Sequence, residues 1–377
     1  MKFIIGLLAL LVFYILTPLP ADAQNTPENQ PNSNMPKENL YKAKVLEVVD
    51  EGETGSGEFK NKYQDLRLEL LDGPDKGKII VLTHGNLATL SDDMLLKQDD
   101  KVVILEFSRP DNSTEYIVTD KYRLDKLMWA AILFVLIVLA IARWKGLGSL
   151  IGLGISFIVI IKFIIPRILE GHDPLLISIL GASGIMISTL YLAHGFSKRT
   201  SVALVSTIIT FIFIGVLSVV FVNIAKISGL GSEEAYSLQY GFGSDINFRG
   251  LFLGGILIGA LGVLDDVTTS LTTAIFEIAK NHKKISVGSL FKSGMEIGRE
   301  HIASLVNTLV LAYAGASLPI FLFIVVNPAG HPIWSIINSE LIAEEVIRVF
   351  AGSFGLILAV PLTALLASYV AFRFSKN

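Results

Sequence analysis

Residues 250–278 read GLFLGGILIGALGVLDDVTTSLTTAIFEI. The segment begins as a glycine-rich apolar run that is long enough for a helix to cross a bilayer. It then carries two adjacent carboxylates, Asp265 and Asp266, which are followed by several threonines and a serine. A carboxylate at the centre of a membrane helix costs about 2.5–3.5 kcal/mol on insertion scales, so two in succession are difficult to explain without a function. The sequence therefore predicts a membrane helix with an acidic site.

Successive residues of a helix project about 100° apart, so Asp265 and Asp266 cannot both face lipid. We expect both to face a helix bundle or a water-filled cavity. Thr268 and Thr269 are expected to supply neutral oxygen ligands or interhelical hydrogen bonds. Two neighbouring carboxylates repel each other, which favours uptake and release of a proton or binding of a cation. These four residues are the predicted proton- or cation-binding site, and the pattern does not indicate whether the ion is a metal.

The composition is that of a polytopic membrane protein. The chain has 377 residues, of which 52% are hydrophobic and only 17% are charged, and its mean hydropathy is +0.60. A soluble domain is nearer one quarter charged. The net charge of −3 gives no basic footprint for nucleic acid. The chain has no cysteine, which excludes a zinc-thiolate site and a cysteine nucleophile. The implied partner is the lipid bilayer, and no motif calls for a cofactor.

The amino-terminal residues predict export. Residues 1–23 contain Lys2, an apolar core and the sequence Ala21-Asp22-Ala23, a pattern typical of a cleaved signal peptide. An uncleaved signal anchor is the alternative. Residues 24–37 are polar and proline-rich, which predicts a flexible linker. In both interpretations the following domain lies outside the cytoplasm.

Residues 38–122 predict a small extracytoplasmic β domain. The segments YKAKVLEVV, DLRLELL, KIIVLTHG, DKVVILEF and EYIVT each have strand character and are separated by turn sequences. Short antiparallel strands in a domain of this size favour an OB-like barrel or a sandwich. Docking of a partner is the simpler role for such a domain, and binding of a small extracellular ligand is the alternative.

Residues 127–377 predict a membrane domain of about seven spans. Clusters of Lys and Arg recur in the loops that would then be cytoplasmic, as the positive-inside rule requires. This places the β domain outside and the carboxyl terminus in the cytoplasm. The predicted spans are 127–143, 147–165, 174–193, 201–222, 250–270, 302–326 and 347–372.

A second group of polar residues lies at the start of the sixth predicted span. We expect its members to line a cavity opposite Asp265 and Asp266. Two alternatives remain open: the charged members form a solvated ion-pair cluster at the membrane boundary, and the deeper ones only pack helices together. The group consists of Glu296, Arg299, Glu300, His301, Asn307 and Thr308.

Two long motifs resemble the YibE/F-like family of bacterial multi-pass membrane proteins. They are GALGVLDDVTTSLTTAIFEI (259–278) and SGMEIGREHIASLVNTLVLAYAGASLP (293–319), and the amino-terminal YKAKVLEV and LDGPDKGK add to the resemblance. It implies a multi-pass protein of the bacterial cell membrane with a transport-related role. The aspartates of the family fall on Asp265 and Asp266, and its second motif falls on Glu296, Gly298, Arg299, His301, Asn307 and Thr308.

Three functions are compatible with these patterns. The leading hypothesis is a transporter or transport component that is coupled to protons or a small cation. The alternative is a membrane receptor or scaffold, in which the β domain senses a ligand and the basic segment 280–299 docks a cytoplasmic partner. Intramembrane proteolysis needs carboxylates that face each other from different helices, so adjacent aspartates argue against an enzyme. A transporter of only seven spans without an evident internal repeat also predicts a homodimer or a sister membrane subunit.

Overall fold

The computed structural model describes residues 39–54, 61–85, 90–108, 114–242, 246–282, 285–326 and 330–375. The predicted signal peptide (1–23) and linker (24–37) lie outside the described residues. The chain divides into two compact units, with the boundary between Ile137 and Val138. Each unit has its own hydrophobic core.

The amino-terminal unit contains one antiparallel sheet of five strands in the order β3-β2-β1-β4-β5. Two register shifts, near Val45 and Val48, interrupt the pairing of β1 with β2. Such bulges bend a strand, and the sheet curves into a half-barrel around side chains such as Leu66, Leu68 and Ile104. The strands are β1 (Asn39–Thr54), β2 (Asn61–Leu70), β3 (Ile79–His84), β4 (Lys101–Ser108) and β5 (Thr114–Lys121).

The expected barrel or sandwich is thus confirmed only in part. Each segment predicted as a strand coincides with a strand of the sheet and extends beyond it by at most one residue at either end. The edge strands β3 and β5 approach each other without pairing, so the described strands form one curved sheet that is open along this seam.

From Leu124 onward the elements of the described chain are helices, and a π-helical turn at Ile160–Ile164 joins the first two. The helices are α1 (Leu124–Val159), α2 (Ile165–Leu169), α3 (Pro174–His194), α4 (Lys198–Ala225), α5 (Glu233–Phe242), α6 (Phe248–Asn281), α7 (Val287–Ala316), α8 (Leu318–Val326), α9 (Ile333–Ile337) and α10 (Glu340–Ser375).

The predicted count of seven spans is not confirmed. Within the described residues, five helical stretches are long and apolar enough to cross a membrane, or six if α7 and α8 are counted as one bent span. The predicted spans 127–143 and 147–165 fall in one helical stretch of 46 residues, Leu124–Leu169. That stretch would be about 70 Å long if straight, more than twice the thickness of the hydrocarbon core. Its one non-helical residue is Arg143, at φ 51° and ψ −129°, between the two predicted spans.

The predicted span 302–326 is broken. The axes of α7 and α8 differ by 65°. Pro319 lies in the first turn of α8, where its ring has no backbone N–H to continue the hydrogen bonding of α7. The chain therefore turns at Ser317, although its apolar character continues through the bend.

Helix α6 is the centre of the carboxyl-terminal unit, since it contacts α3, α4, α7 and α10. Small residues allow these close approaches. At Gly254 of α6, a Cβ atom would lie only 2.3 Å from the Ser178 Oγ of α3. Buried hydroxyls also join helices, as where the Thr207 and Thr268 Oγ1 atoms lie 2.7 Å apart between α4 and α6.

Candidate functional site

The two carboxylates of α6 occupy different environments. Asp265 is partly buried against α3, and its Oδ2 accepts a hydrogen bond of 3.3 Å from the Thr189 hydroxyl. Asp266 is exposed at the surface of the unit. The expectation that both face the bundle or a cavity is therefore wrong for the single chain. The reason is the 100° rotation between successive residues, which turns Asp266 away from the helices that surround Asp265.

The Asp265 carboxyl is only half satisfied. Its Oδ1 is buried and has no hydrogen-bond partner among the described residues. The Thr189 hydroxyl, its partner on the other oxygen, also lies 2.9 Å from the Ile185 carbonyl, so its single proton is shared. Within the part of the chain that the structure describes, no Lys or Arg forms an ion pair with Asp265. A buried ionised carboxylate without a counter-charge is costly, so this group is suited to hold a proton or a cation.

Thr268 and Thr269 use their hydroxyls mainly within α6. The Thr268 Oγ1 donates to the Leu264 carbonyl at 3.0 Å or to Thr207 across the helix interface. The Thr269 Oγ1 donates to the backbone carbonyl of Asp265 at 2.6 Å. Thr268 is thus committed to joining α4 and α6. Thr269 remains beside the carboxylate site, one helical turn along.

Asp266 belongs to a row of exposed residues along α6, which Arg199 of α4 meets at Glu277. We call it the open face, and its members recur at intervals of three or four residues, as one face of a helix requires. All of them are glycine, hydroxyl or acidic residues, so this face is narrow and polar in a helix of membrane length. The open face consists of Gly255, Gly259, Gly262, Asp266, Ser270, Thr273 and Glu277.

The predicted cavity-lining residues of α7 do not meet the carboxylates. Glu296, Arg299, Glu300, Asn307 and Thr308 are exposed, and His301 is half-buried, with its Nδ1 3.2 Å from the Ile297 carbonyl. Among the described residues, no hydrogen bond or ion pair joins any of the six to Asp265 or Asp266.

A different face of α7 is buried against its neighbours, which explains why the polar residues do not meet the carboxylates. The residues of the buried face are Leu290, Gly294 and Gly298. At Gly298, a Cβ atom would lie 2.2 Å from the Val360 Cγ1 of α10. These residues are spaced by four, so they form one side of α7, and the polar residues point elsewhere.

A polar cavity of about 100 Å³ lies beside the carboxylate site. It is formed where α1, the end of α3, the start of α4 and the middle of α6 meet. No sequence pattern indicates this cavity, because its members come from four separate segments and share no motif. The lining residues are Lys145, His194, Ser197, Arg199, Thr200, Ala203, Thr269 and Thr273.

Comparison with known proteins places the helical unit in a family. The model of the YibE/F-like protein family matches residues 130–373, well over half of the chain. The chain belongs to the YibE/F-like family. The match includes the acidic helix and all six polar residues of α7, which confirms the family that the two motifs predicted. The YibE/F-like match does not include β1–β5, so the resemblance noted at YKAKVLEV lies outside it. No curated protein and no solved structure matches the chain.

Proposed function

We propose that this YibE/F-like protein is a membrane transporter, or a component of one, that binds a proton or a small cation at Asp265 and Asp266. The observation that carries the proposal is the buried and unpartnered Oδ1 of Asp265 in a helix of membrane length. A structural carboxylate would be expected to complete its hydrogen bonds or to pair with a cation. Asp266, on the open face of α6, would provide access for the ion.

The proposed topology has seven spans, with the break at Arg143 separating the first two. The β unit would be extracytoplasmic and the carboxyl terminus cytoplasmic, in the bacterial cell membrane. Contacts at the two ends of the helical unit support this arrangement. Lys145, His194 and Arg199 meet at one end, where the positive-inside rule requires cytoplasmic loops. Beyond the opposite end of α4, the Glu340 carboxylate at the start of α10 accepts the Gly229 N–H at 2.9 Å, which joins two segments that this topology places outside.

The absence of cysteine from the sequence allows a direct test in the full chain. Single cysteines on the open face, as in Gly262→Cys and Ser270→Cys, should react with a membrane-impermeant thiol reagent. Leu264→Cys and Leu271→Cys are matched controls at buried positions of the same turns and should be protected. In a water-accessible path, labelling at position 270 should change with pH or membrane potential. In vesicles, Asp265→Asn should abolish or strongly alter proton- or cation-dependent flux.

Two outcomes together would refute the transporter proposal. One is uniform protection of positions 262–273 from both sides of the membrane. The other is wild-type behaviour of Asp265→Asn and Asp266→Asn in ion-flux and pH-jump assays. The carboxylates would then be dry structural groups. No enzymatic step is proposed, and the divergence of the two carboxylates supports this choice, because an aspartyl protease needs its carboxylates to face each other.

A receptor or scaffold is the second candidate, and a cavity in the β unit favours it. The cavity has a volume of about 430 Å³ and lies in the seam between β3 and β5, beside His84 and Tyr116. The strand order, with β1 between β2 and β4, supports an OB-like barrel with its open side at this seam. If the protein is a receptor, Tyr116→Ala should abolish its response to the extracellular signal while Asp265→Asn leaves that response unchanged. The opposite pattern supports the transporter.

The uncovered polar faces of α6 and α7 support association with a second copy or a sister subunit. Asp266, Asn307 and Thr308 are exposed on helices that belong to the matched membrane region. Polar side chains in lipid are stabilised when a neighbouring helix supplies hydrogen-bond partners. The mass of the protein in a nanodisc tests this, and a lone chain under all conditions would contradict it.

A further inference from the structure

The polar cavity beside α6 combines three basic side chains with four hydroxyls. The basic groups are Lys145, His194 and Arg199, and the hydroxyls belong to Ser197, Thr200, Thr269 and Thr273. Its volume of about 100 Å³ gives room for one small ion rather than for a larger metabolite. No carboxylate lines the cavity among the described residues. Its chemistry is therefore that of a site that accepts negative charge and donates several hydrogen bonds.

Basic residues at the end of a membrane helix are common, and most of them point into water. Lys145, His194 and Arg199 are themselves exposed, but they come from different segments and together rim a cavity whose hydroxyls are part of the helix interfaces. Thr200 is 4% exposed and Thr269 is 7% exposed, so the floor of the cavity is buried. The positive charge is only partly balanced, since Arg199 donates to Glu277 at 3.0 Å. Neither Lys145 nor His194 has an ion-pair partner in the part of the chain that the structure describes.

We propose that this cavity is a binding site for a small oxyanion of the phosphate or sulfate type. Lys145 and Arg199 would supply the charge, and the hydroxyls of Ser197 and Thr273 would donate to the remaining oxygens. An arginine guanidinium and hydroxyl donors together match the several acceptor atoms of an oxyanion better than those of chloride.

The position of the cavity connects it to the carboxylate site. Thr269 lines the cavity and donates to the backbone carbonyl of Asp265 at 2.6 Å, so the two sites are about one helical turn apart. A proton on Asp265 and an anion in the cavity would stabilise each other electrostatically. The binding site itself does not depend on the proposed function. The further step, that the oxyanion is a substrate transported together with a proton, rests on the proposed function.

The test is equilibrium binding of inorganic phosphate and of sulfate to the full chain in phosphatidylcholine nanodiscs, measured by calorimetry at constant ionic strength. Wild-type protein should show saturable binding that chloride does not displace. Lys145→Gln and Arg199→Gln should each weaken binding about tenfold or more, because each removes a charge-assisted hydrogen bond.

Lys198→Gln is the matched control. It removes the same charge from the position next to Arg199, but the Lys198 ammonium lies over the Phe374 ring, 3.4 Å from its centre, and does not line the cavity. Its affinity should stay within about twofold of wild type, as for an exposed charge. Equal losses in Lys198→Gln and Arg199→Gln would overturn the proposal, because a general surface effect would explain them. Absence of saturable binding of both anions would also overturn it.

The anion could be free in solution or belong to a lipid headgroup, and the membrane composition distinguishes these sources. If phosphatidylglycerol in the nanodisc weakens phosphate binding to wild type but not the residual binding of Lys145→Gln, the site takes the lipid phosphate. Unchanged affinity assigns it to the free anion. Both results keep the oxyanion site. If phosphate fails to bind while Ser270→Cys still labels in a pH-dependent way, the cavity proposal is wrong and the proposed function stands.

Discussion

The packing of α7 on α10 gives a prediction whose magnitude follows from the structure. Gly298 of α7 contacts the buried side chain of Val360 of α10, and an added Cβ would lie 2.2 Å from the Val360 Cγ1. Carbon atoms in optimal contact are about 3.5 Å apart or more, so the helices or the valine must shift by about 1.3 Å. Overpacking of this kind costs about 1–3 kcal/mol. Alanine gains about 1 kcal/mol of helix propensity over glycine. We therefore expect Gly298→Ala to destabilise the protein by about 1 kcal/mol, and Gly298→Val by more.

Gly315→Ala is the matched control in the same helix, because its added Cβ would meet no atom within 4 Å. Thermal unfolding of the full chain in detergent, followed by circular dichroism, should show a midpoint a few degrees lower for Gly298→Ala and an unchanged or higher midpoint for Gly315→Ala.

A second substitution separates packing from other causes. Val360→Ala removes the side chain that blocks the added Cβ, so Gly298→Ala should be less harmful in that background than in wild type. The two changes should couple by about 0.5 kcal/mol or more. If the Gly298→Ala and Gly315→Ala midpoints move alike, or if Val360→Ala leaves the effect unchanged, α7 does not pack on α10 through this contact.

Two further predictions concern the β unit and the interface of α4 with α6. Burial lowers the pKa of the half-buried His84, and the nearby charge of Lys121 lowers it further. The unfolded chain then takes up a proton first as the pH falls through about 6.5, so the stability of the sheet should decrease from there down to the folded-state pKa and then level off. Hydrogen exchange of β3 peptides in the full chain, corrected for intrinsic rates, should show this decrease in wild type and lose it in His84→Gln. Thr207→Val and Thr268→Val each remove the 2.7 Å hydroxyl contact between α4 and α6. In unfolding measurements the double variant should therefore be destabilised by about 0.6 kcal/mol less than the sum of the two single effects. Strictly additive effects would contradict the contact.

The elements that the sequence predicted correctly are those in which a single local property decides the structure. The five strand segments are rich in β-branched and other apolar residues and lie between turn sequences. In β2 apolar and polar residues alternate and the burial alternates in step, with Leu66 and Leu68 inside and Arg67 outside. The segments predicted as spans are helical, as expected for long apolar segments, because only a helix satisfies all backbone hydrogen bonds within a single segment. The break at Arg143 lies between two predicted spans, where Arg143 and Lys145 interrupt the apolar run. The bend at Ser317 was less accessible, since hydropathy continues through it.

The orientation of α7 could not be predicted from its own residues. The helix has two faces at the same helical period, one with Gly294 and Gly298 and one with Glu300 and Asn307. The choice between them depends on Val360 and Ala364 of α10, which contact the two glycines from more than sixty residues away. A polar face in a membrane segment suggests a lined cavity, but the close packing of glycine is what fixes the helix here. The glycine spacing was the usable indication, and it was visible in the sequence.

The adjacency of Asp265 and Asp266 is best understood as a division between two environments. Neighbouring positions of a helix project about 100° apart, and α6 places Asp265 against the Thr189 hydroxyl and Asp266 on the open face. An exposed carboxylate therefore stands directly beside a buried one whose Oδ1 has no partner among the described residues. Gly262 and Thr269, a turn before and a turn after the pair, leave room on one side and a hydroxyl on the other. The same short segment thus supplies an exposed carboxylate, a buried acceptor and a connection to the polar cavity, and the proposed transport function rests on this arrangement.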